Sequence, residues 1–175
     1  AARIAAGTAP DFIDLNFGCP VRKVVRRNGG AAVMRDLGLL GSICSRVARS
    51  VDIPVTVKLR SGWSFEEENY LEAGLAAEEA GVSAVTLHPR PRSLGFSGRA
   101  DWSQIARLRE TISIQVVANG DVFSAGDYAE IIDETGCKTV MIGRGALGRP
   151  WIFSEVARAG EEAGLEERSA AERIE

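Results

Sequence analysis

The sequence predicts an α/β protein of the TIM, or (βα)8, barrel type, represented by the last five βα units of such a barrel. Three observations lead there. Short apolar, β-branched runs alternate with helix-period stretches, the pattern of a parallel sheet. Each run is followed at once by polar or reactive residues, while the opposite ends are bland, as expected when the carboxyl ends of parallel strands share one functional rim. No G-x-G-x-x-G follows the first run, which argues against an open dinucleotide-binding sheet.

The strand runs are Asp11–Leu15, Pro54–Leu59, Ala84–Leu87, Ile114–Ala118 and Thr139–Ile142. Each is close to continuously apolar, which predicts burial on both faces. Helical periodicity runs through Leu39–Val51, Glu66–Ala80, Trp102–Glu110 and Ala125–Glu134. Gly81 and Gly136 are placed to end two of these helices, and Asp101 or Ser103 and Ser124 to cap two starts. Five strands do not close a barrel, which takes about 250 residues. The opening AARIAAGTAP has the look of a helix already under way, so the chain is expected to start mid-protein, three strands late. Residues 1–154 are assigned to the barrel and 155–175 to the start of a helical region.

Composition bounds the function. Of the 175 residues, 45% are hydrophobic and 26% charged, ordinary for a soluble globular protein. No apolar run reaches the ~20 residues of a membrane span, and the start lacks the features of a secretory signal. Cys19, Cys44 and Cys137 lie far apart with no C-x-x-C spacing, so neither a metal site nor a disulfide framework is expected, and the compartment is read as cytoplasmic. The net charge of −3 hides an asymmetry: from Glu155 onward there are 7 acidic and 3 basic residues, leaving 17 acidic and 18 basic before it. Local clusters therefore matter more than the total.

Five motifs sit at the strand ends. Asn16-Phe17-Gly18-Cys19-Pro20 places a thiol on a proline-stiffened turn, where it can act as nucleophile or general acid; Cys44 and Cys137 fit the plain role of small buried hydrophobes. Alternation puts Lys58 and Arg60 on one side of their strand, two cations asking for an anionic or electron-rich partner. His88, the only histidine, opens His88-Pro89-Arg90-Pro91-Arg92; a structural and a functional role weigh about equally there. Asn119-Gly120-Asp121 and Gly143-Arg144-Gly145 follow the last two strands, where barrels commonly bind phosphate on glycine-rich backbone. Arg22, Lys23, Arg26 and Arg27, with Arg90, Arg92 and Arg99, form a seven-cation collar suited to a polyanion. Pairing of its first four members with Glu66–Glu68 is the bland alternative.

These residues together resemble the tRNA-dihydrouridine synthase family, in particular its bacterial B-type members. The matching stretches are DFIDLNFGCPVRKV, PVTVKLRSGW, AVTLHPRPRSLGFSGRADW, VVANGDVFS and MIGRGALGRPWIF, from about Asp11 to Phe153. Pro91 stands where many relatives carry Thr, which leaves the shape of that loop open. The resemblance implies an FMN-binding barrel followed by a helical tRNA-binding domain, with NADPH or NADH as reductant. It implies that Cys19 protonates uracil, that Lys58 and His88 contact the flavin ring, and that Asn119, Gly120, Asp121, Gly143 and Arg144 hold the FMN phosphate and ribityl chain. Asn16 and Arg60 would touch the target uracil, and Arg22 and Lys23 the tRNA. The whole protein is expected to be a monomer. Two other readings stand beside it: a flavin barrel acting on a free pyrimidine, as dihydroorotate dehydrogenases do, and an inactive barrel fragment.

Overall fold

The computed structural model describes residues 1–162. Its strands are β1 (Ile13–Asn16), β2 (Val55–Arg60), β3 (Ala84–His88), β4 (Gln115–Asn119) and β5 (Thr139–Met141). The helices are α1 (Ala2–Ala6), α2 (Arg22–Val25), α3 (Leu37–Ala48), α4 (Tyr70–Glu79), α5 (Trp102–Thr111), α6 (Ala125–Thr135) and α7 (Ile152–Glu162). All strand pairs are parallel, and the sheet order is β1-β2-β3-β4-β5. That order separates the two closures. A doubly wound sheet reverses direction at a switch point, whereas here every strand lies beside its predecessor, as in consecutive units of a βα barrel.

Four of the five strand ends differ from the expected ones in the same way, while β5 stops at Met141, one residue short of the expected Ile142. The apolar runs were expected to stop at Leu15, Leu59, Leu87 and Ala118, yet the ladder continues one residue further to Asn16, Arg60, His88 and Asn119. These polar residues stay in register because their side chains point to the barrel interior. Burial on both faces holds along β3, but the two faces differ in chemistry, and β1 leaves its inner residues exposed. Alternation sets Leu15, Val57, Leu59, Val85, Leu87 and Ala118 on the outer face, and Asp14, Asn16, Thr56, Lys58, Arg60, Thr86, His88 and Asn119 on the inner one. Inward apolar residues such as Ala84 and Val117 blur this alternation in windows of four to six residues. Hydrogen bonds across the inner face join Thr56 to Asp14 (2.8 Å) and Gln115 to Thr139 (2.8 Å).

The core lies between the outer face and the helices. Val57, Leu59, Val85, Leu87 and Ala118 are fully buried against Leu40, Cys44, Ala73, Ala77, Ile105, Leu108 and Ile131. Each full burial of a Val, Leu or Ile side chain contributes about 1.5–3 kcal/mol. Gly74 of α4 leaves room for Leu108 of α5, which occupies the space a side chain there would need. Central β3 is buried at all five residues, whereas β1 and β5 are half-covered because they form the edges.

Helix ends follow local chemistry. The Asp36 carboxylate accepts from the Leu39 N–H (2.9 Å), starting α3 two residues before the expected point. Asp101 and Ser124 cap α5 and α6 as expected, and Gly136 closes α6 in the left-handed conformation. The helix expected from Glu66 starts only at Tyr70, because Gly62 and Glu68 form an antiparallel bridge that folds the intervening residues into a loop. A side chain at Gly62 would collide with the Glu67 carbonyl. α7 runs unbroken through the boundary expected between residues 154 and 155; residues 163–175 of the expected helical region lie outside the described residues.

Among the described residues β1 and β5 each carry one unpaired edge, and such edges template pairing with other chains. The 175-residue chain on its own is therefore expected to self-associate. Light scattering of the purified chain checks this, and a monodisperse monomer would show the edges to be covered.

Candidate active site

The carboxyl ends of all five strands open on one cavity of about 400 Å³. Asn16, Cys19, Lys58, Arg60, His88, Asn119, Gly120, Asp121, Gly143 and Arg144 line it, so ten of the expected site residues meet there. Arg22 and Lys23 do not line it; they lie on α2, exposed just beyond Cys19.

Cys19 is held from two sides. The Asn16 side-chain oxygen accepts from the Gly18 N–H (3.0 Å), shaping the turn that leads to the cysteine. The Cys19 carbonyl accepts from the Ala31 N–H (3.0 Å). Gly30, at φ +55°, permits this approach, since a side chain there would stand 2.6 Å from that carbonyl. Cys44 and Cys137 are buried in the core, and burial pushes the Cys44 thiol up to about 11 and the Cys137 thiol upward as well.

Lys58 and Arg60 share one face, as the alternation required, but they do different work. Lys58 makes no ion pair among the described residues. Burial, helped by the charge of Arg60 and opposed by Asp14, brings its ammonium down to about 8. Arg60 is only 2% exposed and faces backbone: its Nε donates to the Gly18 carbonyl (2.8 Å), and its Nη1 to the carbonyls of Gly95 (2.9 Å), Pro91 (3.3 Å) and Arg90 (3.4 Å). Arg60 thereby ties the Cys19 turn to the loop after β3. Burial lowers it to about 10, with Arg90 and Arg144 adding and Cys19 opposing, so it stays charged at neutral pH.

The expected cation collar loses a member. Arg90 is 2% exposed and lies under the rim, in bidentate contact with Asp121 (2.8 and 2.6 Å). Its burial follows from the loop of residues 91–98, whose Ser97 and Gly98 carbonyls also accept from it. Arg92 lies on the Trp63 ring at 4.6 Å. Arg22, Lys23, Arg26, Arg27 and Arg99 remain exposed. The alternative partners Glu66, Glu67 and Glu68 bond instead to Ser64, Arg35 and Gln104.

Asp121, at φ +56°, is the hub of this rim. Besides Arg90, its carboxylate accepts from Arg144 Nη2 (3.0 Å) and the Ala100 N–H (2.8 Å). Burial alone would raise its pKa; the hydrogen bonds from Arg90 and Ala100 and the charges of Arg90 and Arg144 outweigh burial and hold it below the ordinary carboxylate range. His88 is 7% exposed and buried among cations, and burial, Lys58, Arg60 and Arg90 press it to about 3 against Asp121, so the imidazole is neutral. The Asn119 side-chain amide donates to the Met141 carbonyl (2.7 Å), joining the last two strands below the glycine turns.

Those two glycine turns divide their tasks. A side chain at Gly145 would collide with the Val122 carbonyl, so this glycine lets the two loops pack. A side chain at Gly143 would meet nothing within 4 Å, and this glycine lines the cavity. Arg144 lies over Phe96 (4.8 Å) and Phe123 (5.5 Å). Both phenylalanines line the cavity, and sequence reasoning missed them. A half-exposed Phe in a Gly-rich loop carries no pattern, and only the wrapping of residues 91–98 around Arg60 and Arg90 brings Phe96 to the mouth.

Lys58, Arg60 and Arg144 line the cavity, and Asp121 is the one carboxylate among its described lining residues, so the cavity suits an anionic ligand. Among the described residues no group of three or more His, Cys, Asp or Glu side chains is placed to hold a metal ion, and no helix is long and apolar enough to cross a membrane.

Comparison with known proteins decides the family. The model of the family "Dihydrouridine synthase (Dus)" matches residues 1–175. This chain belongs to the dihydrouridine synthase family. It is 44% identical over 156 residues to the tRNA-dihydrouridine synthase B of Yersinia pestis, covering 89% of this chain and 49% of that protein. Over 164 residues it is 48% identical to the "Probable tRNA-dihydrouridine synthase" of Mycobacterium tuberculosis, covering 91% of this chain and 42% of that one. The chain thus spans just under half the length of these relatives. Among solved structures, N-succinyl Arg/Lys racemase from Bacillus cereus superposes with a TM-score of 0.60 over 94% of this chain and 39% of that chain, at 18% identity. That likeness concerns the fold alone.

Asp121 gives the site a pH dependence. Its folded pKa is depressed, so its stabilising contribution is present above the unfolded value of about 3.9 and is lost as pH falls through the folded value. Asp121→Asn is expected to lower the melting temperature at neutral pH and to flatten the fall of stability below about pH 4. Thermal melts of both proteins across the acid range check this; identical acid profiles would exclude Asp121 as the hub.

Proposed function

We propose that the chain forms part of the active site of an enzyme that reduces uridine to 5,6-dihydrouridine in tRNA, in the cytoplasm. One observation carries the reading: in a chain of this family, five successive strand ends deliver Cys19, Lys58, His88, Asn119 and Arg144 to one positively charged cavity.

The residues fit FMN. Lys58 is a cation without an anionic partner among the described residues, and Gly143 lines the cavity where a side chain would meet nothing within 4 Å. Lys58 and His88 would contact the flavin ring; Asn119, Gly120, Gly143 and Arg144 would hold the ribityl chain and phosphate. Asp121 serves this site indirectly, because its carboxylate is occupied by Arg90 and Arg144 and as an anion it would repel a phosphate. The chemistry that FMN supplies when bound is hydride delivery to uracil C6, replenished from NADPH or NADH.

Cys19 holds the proton that C5 receives. Its turn is fixed by Asn16 and by Arg60, so the thiol is aimed before any base arrives. Asn16 spends its oxygen on that turn and keeps its amide N–H groups for a base carbonyl. Arg60 acts on the substrate chiefly through the two loops it joins; Nη2 is its one guanidinium nitrogen with no hydrogen bond among the described residues. Arg22, Lys23, Arg26 and Arg27, exposed and without ion pairs among the described residues, lie where a tRNA backbone would cross.

Replacing Cys19 by Ala in the active enzyme is expected to slow dihydrouridine formation roughly 10²–10⁴-fold while leaving flavin content unchanged. Cys44→Ala and Cys137→Ala serve as controls and keep turnover per folded molecule. Dihydrouridine measured in treated tRNA decides; unchanged turnover of Cys19→Ala would remove the thiol from the mechanism.

Neutralising Arg22, Lys23, Arg26 and Arg27 to Gln is expected to weaken tRNA binding far more than flavin binding. Each lost phosphate contact flattens log K against log salt by about 0.7–0.9, so two contacts remove roughly 1.5 units of slope. Labelled-tRNA titrations at several salt concentrations measure it. An unchanged slope would favour a free pyrimidine as substrate.

A further inference from the structure

Arg90 has a place that the proposed chemistry leaves unexplained. It sits two residues past β3 and is one of the largest fully buried side chains. A guanidinium carries five N–H donors and no acceptor, and it stays protonated. Arg90 Nε donates to the Ser97 carbonyl (3.1 Å), and Nη2 to the Gly98 carbonyl and to Asp121 (2.6 Å). Nη1 donates to Asp121 (2.8 Å) and lies 3.3 Å from His88 Nε2.

That last contact fixes a proton. Arg90 can only donate, so His88 Nε2 accepts. A neutral imidazole carries one N–H, which then resides on Nδ1. Turning the ring over would put Cε1 against Nη1 and lose the bond. Gly120 makes room for the ring as it stands, since a side chain at that position would press on His88 Cδ2 at 3.1 Å. Nδ1 has no hydrogen-bond partner among the described residues, and it is not among the enclosed unpartnered atoms, so it remains reachable on a residue that lines the cavity.

We propose that Arg90 is a positioning residue that fixes His88 as the neutral Nδ1–H tautomer, so that the cavity offers its occupant an uncharged hydrogen-bond donor at that point. The complementary group is a carbonyl oxygen or an unprotonated ring nitrogen of a heteroaromatic ligand; only the identity of that ligand rests on the proposed function. The charged groups facing His88 are Lys58 and Arg60 from β2, Arg90 from the loop after β3, and Asp121 from the loop after β4. Three cations against one carboxylate oppose a second proton on the ring. A donor of this kind keeps its state across the neutral range, which a solvent-exposed histidine does not.

The single histidine makes the test direct. Labelling with [15N]histidine leaves one pair of ring nitrogens to observe, in solution or by magic-angle spinning if the chain associates. The expected wild-type spectrum at neutral pH has a protonated, pyrrole-type Nδ1 and an unprotonated, pyridine-type Nε2, unchanged down to about pH 5. Arg90→Met is expected to move the proton predominantly to Nε2, the form favoured by a free side chain, and to bring titration back toward ~6.5. A wild-type Nε2–H signal, an imidazolium at neutral pH, or an Arg90→Met protein that keeps the Nδ1–H form would each overturn the proposal. The wild-type spectrum decides the tautomer even if the variant does not fold. The readout needs neither flavin nor RNA, so its failure is distinct from a failure of the dihydrouridine assay.

Discussion

The rim of this sheet depends on the placing of two guanidiniums in the protein interior with one carboxylate to balance them. Arg60 and Arg90 are each 2% exposed, and isolated charges at that depth are costly unless hydrogen bonded. The chain meets the requirement by wrapping residues 90–98 around them, so that five backbone carbonyls of that loop accept from the two arginines. Asp121 supplies the counter-charge, and it does so from a left-handed backbone position that a β-branched residue would resist. Loop shape, the place of Phe96 and the setting of His88 all follow from this arrangement.

The same arrangement explains why the cavity is positive without being disordered by its own charge. Arg60 and Arg90 are held on carbonyls and Arg144 between two phenylalanine rings, so their mutual repulsion is met by fixed dipoles and π faces. Lys58 lacks such support among the described residues, and burial lowers its pKa as it lowers that of Arg60. A ligand anion would relieve the cost of that burial, which is how a preorganised site converts its own strain into affinity.

Much of this was legible in the sequence because parallel strands of a barrel place their carboxyl ends together. Asn16, His88 and Asn119 directly follow an apolar run, Lys58 sits one residue before the end of one, and Cys19 and Arg144 come within four residues after one; one topological rule gathers them. The strand limits were misjudged by a residue because a buried polar side chain at a strand end resembles the first residue of a loop. The collar was overcounted because adjacency in sequence does not say which of two nearby arginines is buried: Arg90 and Arg92 stand two residues apart, yet one is paired with Asp121 and the other lies on Trp63. The different tasks of Gly143 and Gly145 were invisible because both simply read as glycine, and only the Val122 carbonyl tells them apart.

The two faces of the sheet carry a longer consequence. Helices cover the apolar outer face, while the inner face holds nearly every residue with chemistry to offer. Adjacent positions along one strand therefore answer to different demands. Exchanging Val57 or Leu59 disturbs a packed core and costs about 1–5 kcal/mol, while exchanging Lys58 between them leaves that packing in place and alters what the cavity accepts. A position such as Lys58, which has no ion pair among the described residues, can thus change what the cavity accepts without disturbing the packed face, whereas Arg60 on the same face is tied into the loops and cannot.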